Sequence, residues 1–443
     1  MDAKKKQASV NKTHQMFRRL VWLYIVLLLL EGSLRKWVLP QLSDVLLLAR
    51  DPIVLFSYFL AIRHKIFPLN LYVVSAWGLM ILCFVLALLF AHGNFIVAAY
   101  GFKGNVLHIP FAFIIGKVLN RNDVVMLGKW WLWATLGMTV LICMQFYSPQ
   151  SAWVNLGLGG DTSGAGFGGA LGRYRPPGTF SFIIGVTWFY VFSTAFLICG
   201  LTMHKGYSKW LLIASAMAII VAMPVSISRM MVLASALTLI IGVISSSGLK
   251  NALLRYGRFA IFIIVGVLLA SFIPVFDDAR DAFLSRWTSS TEDFQSSIID
   301  RTLGDFMRPF VSDREIPIFG FGLGAGTQVG LQLLSQTRSF ALGESDWERI
   351  VCELGKVFGT LFLLWRVALT VGLGRSAMRA FRNGNGMGLI FLSATAYNLL
   401  VGPLGQATVS GFVIIGIGLT IASMRIPKTK TEAKKTIDAA TAT

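Results

Sequence analysis

Two short segments place arginines where they could act on an anion. Arg173 and Arg175 stand in the segment Arg-Tyr-Arg-Pro-Pro-Gly, and Arg229 ends a Ser-Ile-Ser-Arg segment that interrupts an apolar run from 210 to 244. A guanidinium presents several donors in one plane, so it binds phosphate or carboxylate through paired hydrogen bonds. An ionisable group within an apolar run is costly and usually faces a cavity or a partner. We therefore predict an anion site; the alternative is that these arginines anchor the chain to lipid headgroups.

A group of carboxylates is the candidate source of a general base. Glu344, Asp346 and Glu348 are followed by Arg349 and Glu353, which share one face if the segment is helical. A carboxylate in apolar surroundings has a raised pKa, which brings it toward the range of a general base. The alternative is an acidic helix start, which is favourable to the helix dipole.

The segment Gly320-Phe-Gly-Leu-Gly-Ala-Gly imitates a dinucleotide fingerprint. No strand–turn–helix pattern surrounds it, so we reject a nucleotide site. Gly320, Gly322 and Gly324 would let the backbone lie close to a neighbouring helix or a ligand, and plain loop flexibility is the alternative. The four cysteines have no paired spacing and no accompanying histidine cluster, so neither a metal nor a cofactor is predicted.

The composition indicates what kind of scaffold positions these residues. Of 443 residues, 55% are hydrophobic and 14% charged, and the mean hydropathy is +0.68. A soluble domain carries about 25% charged residues. The predicted fold class is therefore all-α, a polytopic membrane protein with about twelve transmembrane helices. The predicted apolar segments are 19–38, 41–62, 69–91, 105–119, 127–147, 179–202, 210–227, 230–246, 259–276, 349–370, 386–402 and 407–424, with an interfacial segment at 92–104.

The distribution of lysine and arginine predicts the orientation. Cytoplasmic loops carry the excess of these residues, and strict alternation from an inner amino terminus keeps most of them inside, including Arg366, Arg375, Arg379 and Arg382. The formal charge of +19 then reflects topology, and nucleic acid is not a predicted partner. The predicted units are 1–276 with nine helices and an outer loop at 148–178, a large outer loop at 277–348, 349–424 with three helices, and a disordered cytoplasmic tail at 425–443.

The large outer loop is the most polar part of the chain outside the termini. It holds 12 of the 21 acidic residues, and all its basic residues, Arg338 among them, are arginine. Loops of this length usually carry function. Charged residues in the first two apolar segments have a simpler interpretation. Glu31 with Arg35 and Lys36, and Arg50 with Asp51, are predicted to be structural ion pairs.

The order of these motifs resembles the O-antigen ligase and O-antigen polymerase superfamily, which are bacterial inner-membrane glycosyltransferases of the GT-C type. The resemblance rests on an outer Arg-x-Pro-Pro-Gly-Thr-Phe turn, Ser-x-Ser-Arg between two spans, Pro-Ile-Phe-Gly-Phe-Gly-Leu-Gly in the large loop and Glu-Leu-Gly in the next helix. The family transfers glycan from undecaprenyl pyrophosphate to an acceptor hydroxyl at the outer leaflet. It uses no nucleotide sugar and, as far as ligases suggest, no metal.

The resemblance also implies roles for particular residues. Arg175 matches the arginine of the family's glycine turn, Arg229 that of its Ser-Arg motif, and Gly320, Gly322 and Gly324 its glycine motif. Ligases usually carry a His-Asn-type pair after the large loop, where this chain has Glu-Ser-Asp-Trp-Glu-Arg instead. The predicted substrate-binding residues are Arg173, Arg175, Arg229, either Arg338 or Arg349, and the three glycines; Arg229 also acts in catalysis, with Glu344, or else Asp346 or Glu348, as the base.

The predicted function is polymerisation of lipid-linked repeat units of O-antigen or exopolysaccharide at the periplasmic face. The predicted partners are the undecaprenyl-pyrophosphate-linked oligosaccharide, membrane lipid and other polysaccharide-assembly proteins. The first alternative is an O-antigen ligase, which delivers finished glycan to a lipid A core or other acceptor. The second is a lipid-linked oligosaccharide flippase, which should divide into two similar halves; the single asymmetric loop here favours an enzyme. A non-catalytic scaffold of a polysaccharide-export complex is a third alternative.

Overall fold

The structure is a computed structural model that describes most of the chain. The described residues are 2–203, 206–245, 277–288, 304, 307, 310–311, 315–334 and 346–425, with backbone alone at 2–12 and 203. The predicted ninth segment, 259–276, and the predicted tail beyond 425 lie outside them. Within these ranges the secondary structure is helical apart from one pair of two-residue strands.

The described helices follow the predicted apolar segments closely. They are α1 (Asp2–Ser33, continued by a π-helical turn Leu34–Val38), α2 (Ser43–Leu46), α3 (Asp51–Arg63), α4 (Leu71–Phe90), α5 (Phe95–Phe102, continued by a π-helical turn Lys103–Leu107), α6 (Ile109–Val118), α7 (Arg121–Tyr147), α8 (Ile183–Met203), α9 (Lys209–Val225), α10 (Arg229–Ser245), α11 (Asp277–Thr288), α12 (Gln328–Leu333), α13 (Trp347–Arg382), α14 (Met387–Leu400) and α15 (Ala407–Met424). Strands β1 (Phe167–Gly168) and β2 (Tyr174–Arg175) are antiparallel.

Six stretches of the described chain are long and apolar enough to cross a membrane. They are Pro40–Arg63, Leu71–Phe90, Arg121–Tyr147, Ile183–Thr202, Trp347–Arg382 and Ala407–Met424. Three shorter apolar helices, α9, α10 and α14, accompany them. The all-α class and the helices of a membrane protein are thereby confirmed, whereas the number of twelve spans stays a prediction.

Helices α8 and α15 form the centre of the bundle. In the most apolar 18-residue stretch of each helix, 89% of the residues are buried in α8 and 72% in α15. Helix α4 is buried over only 28% and exposes Val74, Ile81 and Leu89. An apolar exposed surface of this kind is what lipid-facing helices present. Helices α8 and α15 are therefore enclosed by the other helices, and α4 has the surface of a helix that faces lipid.

The fourth segment is longer than its hydropathy indicates. The predicted segment is 105–119, behind an interfacial segment, but helix begins at Phe95 and reaches Val118, interrupted by the π-helical turn and by a turn at His108. Asn94 starts it by accepting hydrogen bonds from the backbone N–H groups of Ile96 and Val97. Helix therefore covers most of the predicted interfacial segment as well.

Helix α13 is not one straight span. Gly355 has φ +81° and ψ 163°, which breaks it into a short arm (347–354) and a long arm (356–382). A straight helix would separate Asp346 from Arg366 by about 30 Å, yet their side chains approach to 3.4 Å. The short arm therefore folds back antiparallel along the long arm. The predicted segment, 349–370, therefore includes the reversal, which carries no hydropathy signal.

Candidate functional site

The glycine-rich loop (148–178) is fixed by two buried amides. The Gln145 Oε1 accepts a hydrogen bond from the Gly178 backbone N–H at 2.8 Å, and its Nε2 donates to the Val154 carbonyl at 3.0 Å. The Asn155 Nδ2 lies 3.0 to 3.1 Å from three carbonyl oxygens at the end of α7 and just after it. These contacts hold both ends of the loop to α7, so the arginines near its end are carried on an ordered support.

The β1–β2 hairpin brings Arg175 to the turn between α9 and α10. Phe167 pairs with Arg175 across the hairpin. A Cβ built on Gly169 would lie 2.7 Å from Ile227 Cδ1 and 3.4 Å from Arg175 Cγ. The side chains of Arg175 and Ile227 therefore lie beside the same glycine, and Arg229 is two residues further on.

The Ser-Arg turn (226–229) starts α10. The Ser228 Oγ accepts a hydrogen bond from the Met231 backbone N–H at 3.3 Å and contacts Thr187 Oγ1 at 3.1 Å. Ile227 has φ +47°, a left-handed conformation that is costly for a β-branched residue. Ser228 thus caps α10, and Arg229 is the first residue of that helix, half-buried.

Helix α11, which begins the large loop, joins the same end of the bundle. The Arg286 Nη1 donates to the Gly169 carbonyl at 3.2 Å. Arg173 forms an ion pair with Asp278, and its guanidinium lies over the ring of Phe146 at 5.4 Å. Arg175 and Arg286 therefore lie beside Gly169, Arg173 pairs with α11, and Arg229 begins α10 two residues after Ile227. We call these four residues the arginine cluster.

The glycine segment (320–326) is bound to the break in α13. The Glu353 carboxylate accepts hydrogen bonds from the backbone N–H groups of Gly324 at 3.0 Å and Gly326 at 2.8 Å. A Cβ on Gly320 would lie 2.4 Å from the Glu353 carbonyl oxygen, and one on Gly324 would lie 2.1 Å from that of Val97. The expected close approach to neighbouring helices is present. Ligand binding by these glycines stays a prediction.

Arg349 is the centre of a buried network, which we call the Arg349 network. Its Nε lies 2.6 Å from Asp346 Oδ1, its Nη1 2.8 Å from Glu353 Oε2, and its Nη2 2.9 Å from Asn105 Oδ1. The predicted placement of Arg349 and Glu353 on one helix face is confirmed. Each of these side chains is at most 3% exposed. Buried charges are stable when paired and hydrogen-bonded in this way.

Arg366 completes the network from the long arm of α13. It contacts Asp346 and donates three hydrogen bonds of 2.6 to 3.0 Å to the carbonyls of Leu399, Asn398 and Gly402. We expected Arg366 in a cytoplasmic loop with Arg375, Arg379 and Arg382. That expectation is wrong, because Arg366 is fully buried.

The candidate bases lie in different surroundings. Asp346 is fully buried, held by two arginines and by the Leu404 backbone N–H at 3.1 Å, whereas Glu348 is half-buried. Glu344 and Arg338 lie outside the described residues. Asp161 is an exposed carboxylate on the glycine-rich loop; hydrogen bonds from Ser163 hold its pKa below the usual value, so it is a weak base.

A second buried group of charges surrounds Glu31, and we call it the Glu31 cluster. Glu31 lies 3.1 Å from Arg50 and 3.6 Å from Arg35. Asp51 does not pair with Arg50 as predicted; it lies 2.9 Å from Lys103 and 3.0 Å from His108. Tyr24 links the two pairs through His108 Nδ1 at 3.0 Å and Arg50 Nη1 at 3.5 Å. The pairing of Glu31 with Arg35 is confirmed.

Lys36 does not have the predicted carboxylate partner. It is 1% exposed, and its Nζ donates a long hydrogen bond of 3.4 Å to the Gly178 carbonyl. Sequence analysis did not identify Arg35 and Lys36 as candidate functional residues. The positive-inside rule places the end of the first apolar helix, where they lie, on the outer side, and two adjacent basic residues there are an exception to that rule. This exception could have identified them.

Comparison of the chain with known proteins leaves its family open. No family model matches it, and no curated protein matches it significantly. The resemblance to a glycosyltransferase superfamily therefore rests on the short sequence motifs alone.

Proposed function

We propose that the protein is a membrane glycosyltransferase that polymerises lipid-linked oligosaccharide repeat units. It would transfer glycan from undecaprenyl pyrophosphate to the acceptor sugar of another repeat unit at the periplasmic face of the bacterial inner membrane. The observation that supports this most is the arginine cluster, because three segments far apart in sequence meet around Gly169 and Ile227 and carry these four arginines. Guanidinium groups are the side chains best suited to bind a pyrophosphate through paired hydrogen bonds.

The reaction needs little beyond cations and one base. The bond between the anomeric carbon and the pyrophosphate oxygen breaks, and undecaprenyl pyrophosphate leaves with the electron pair. The acceptor hydroxyl oxygen forms the new glycosidic bond and gives its proton to a base. Fixed positive charge beside the leaving group stabilises the charge that develops there, by several kcal/mol in a site with little water.

The group that accepts the proton of the acceptor hydroxyl would be the carboxylate of Glu344 or Glu348. Both oxygens of Asp346 already accept hydrogen bonds, one from Arg349 and the other from Arg366 and the Leu404 N–H, so Asp346 is poorly placed to accept a further proton. The Arg349 guanidinium likewise already donates hydrogen bonds to Asp346, Glu353 and Asn105. The pyrophosphate would therefore lie against the arginine cluster, with Arg338 as a further candidate.

The proposed topology has twelve helices with both termini in the cytoplasm and the arginine cluster facing the periplasm. Single cysteines at Ser163 and Ser208, both exposed, test it in a variant lacking the four native cysteines. We expect the cysteine at 163 to react with an impermeant maleimide in cells whose outer membrane is permeable, and the one at 208 to react only after lysis. The opposite pattern would contradict the orientation.

The proposed activity can be tested with purified components. Protein given only lipid-pyrophosphate repeat units is expected to form a ladder of longer products and to release undecaprenyl pyrophosphate. A ligase uses the same glycan donor as a polymerase, so the acceptor that yields product distinguishes the two enzymes. A product that forms only after a lipid A core is added would replace the polymerase by a ligase, and the absence of product with either acceptor would contradict both.

A further inference from the structure

Lys36 is a buried cation without a carboxylate partner. It lies in the middle of the π-helical turn after α1, with its Nζ 3.4 Å from the Gly178 carbonyl and 5.7 Å from the centre of the Trp37 ring. Among the residues that the structure describes, no ion pair includes it. An ammonium group buried in this way is costly unless an anion or several hydrogen bonds compensate it.

The neighbouring carboxylates are already paired with other cations. Glu31 is shared by Arg35 and Arg50, and Asp51 is shared by Lys103 and His108. Asp44 acts on Arg35 electrostatically but is exposed to solvent. Among the described residues, the four basic residues Arg35, Lys36, Arg50 and Lys103 thus lie near two enclosed carboxylates, the buried Glu31 and the half-buried Asp51. The Glu31 cluster has an excess of positive charge, and the excess lies at Lys36.

Lys36 and Arg35 border the turn that carries Arg175. The Arg35 Nη1 donates to Ser181 Oγ at 2.9 Å, and Lys36 donates to Gly178. Gly178 follows Arg175 by three residues, so their Cα atoms are at most about 11 Å apart. The turn that carries Arg175 is therefore also the turn that Lys36 contacts.

We infer that Lys36, supported by Arg35, binds the phosphate group of a polyprenyl carrier lipid at this turn. The choice of carrier lipid rests on the proposed function; the need for an anion rests on the geometry of Lys36 alone. Arg35 is fixed by Glu31, Ser43 and Ser181, so its position is set before a ligand arrives. Lys36 supplies the charge that the described protein leaves uncompensated.

The test measures lipid binding by Lys36→Met. Methionine keeps the length and apolar stem of the side chain while removing its charge. The matched control is Lys209→Met, an exposed lysine at the start of α9. Each purified variant is placed in phosphatidylcholine nanodiscs with undecaprenyl phosphate or with phosphatidylglycerol, and bound lipid is counted by native mass spectrometry. Inorganic pyrophosphate is added in a parallel series as a competitor.

We expect Lys36→Met to weaken undecaprenyl phosphate binding about tenfold to a hundredfold, the loss of one charge-assisted contact. Phosphatidylglycerol binding and the Lys209→Met control should be unchanged, and pyrophosphate should compete. The melting temperature of Lys36→Met should equal or exceed that of the wild type, because an uncompensated buried charge is removed. This excludes misfolding as the cause of lost binding.

Three results would overturn the inference. The first is undecaprenyl phosphate binding that is equal in Lys36→Met and the wild type, which would make Lys36 a lysine buried in its neutral form. The second is an equal loss for phosphatidylglycerol, which would indicate a general headgroup contact. The third is a wild-type ladder rate in Lys36→Met, which would leave the proposed function intact. Lys36-dependent binding by a protein that makes no ladder would instead keep the inference and remove the polymerase.

Discussion

Arg229→Lys and Arg175→Lys will each lower the rate of polymer formation about tenfold to a hundredfold while leaving the protein folded. Both variants keep the positive charge but lose the planar fork that donates two hydrogen bonds to one phosphate. A charge-assisted hydrogen bond contributes about 1.5–3 kcal/mol, which corresponds to that change in rate. The rate is measured from the ladder of lipid-linked products, at equal amounts of folded protein.

Arg280→Lys is the matched control for these two variants. Arg280 lies on α11 at the same end of the bundle, but it is exposed and pairs with Asp277 at 3.0 Å and Asp281 at 3.2 Å. An exposed pair of this kind contributes little, so the control should keep nearly the full rate. Near-normal polymer formation by Arg175→Lys and Arg229→Lys would show that these arginines hold the loop in place and do not bind pyrophosphate.

Arg349→Met will lower the free energy of unfolding by about 3–5 kcal/mol, because it leaves two buried carboxylates without their central cation. Asp346 would keep only Arg366 and the Leu404 N–H, and Glu353 only the N–H groups of the glycine segment. The effect should appear as a lower melting temperature and a lower yield of monodisperse protein. Arg375→Met, an exposed arginine on the long arm of α13, should change neither.

The same variant separates two roles for Arg349. The sequence motifs suggest that it binds pyrophosphate, whereas its contacts in the fold are those of a structural residue. Normal stability combined with lost polymer formation would support pyrophosphate binding. Lost stability, recovered in part by the further substitution Glu353→Leu, would support the structural role, since it removes the carboxylate left without a cation while Asp346 keeps Arg366.

Local sequence was sufficient to predict where most helices lie. Apolar length is a property of each segment by itself, and α4, α7, α8 and α15 lie within a few residues of the predicted limits. Short-range spacing was equally informative, because residues four apart on a helix are neighbours, and Arg349 and Glu353 are in contact. The segments that carry the arginine cluster could also be named from sequence, since charge within apolar or glycine-rich surroundings is rare.

Only the tertiary structure decided which of these residues meet. The reversal at Gly355 brings Asp346 to Arg366, and no hydropathy pattern records one backbone angle in a left-handed conformation. The pairing of Asp51 with Lys103 and His108 depends on α3 and α5–α6 packing together, and sequence neighbourhood suggested Arg50 instead. Sequence thus determined the class of protein and its candidate charges, through properties of single segments. The fold decided which charges neutralise each other and that Lys36 has no carboxylate partner among the described residues, because ion pairing depends on distances between segments far apart in the chain.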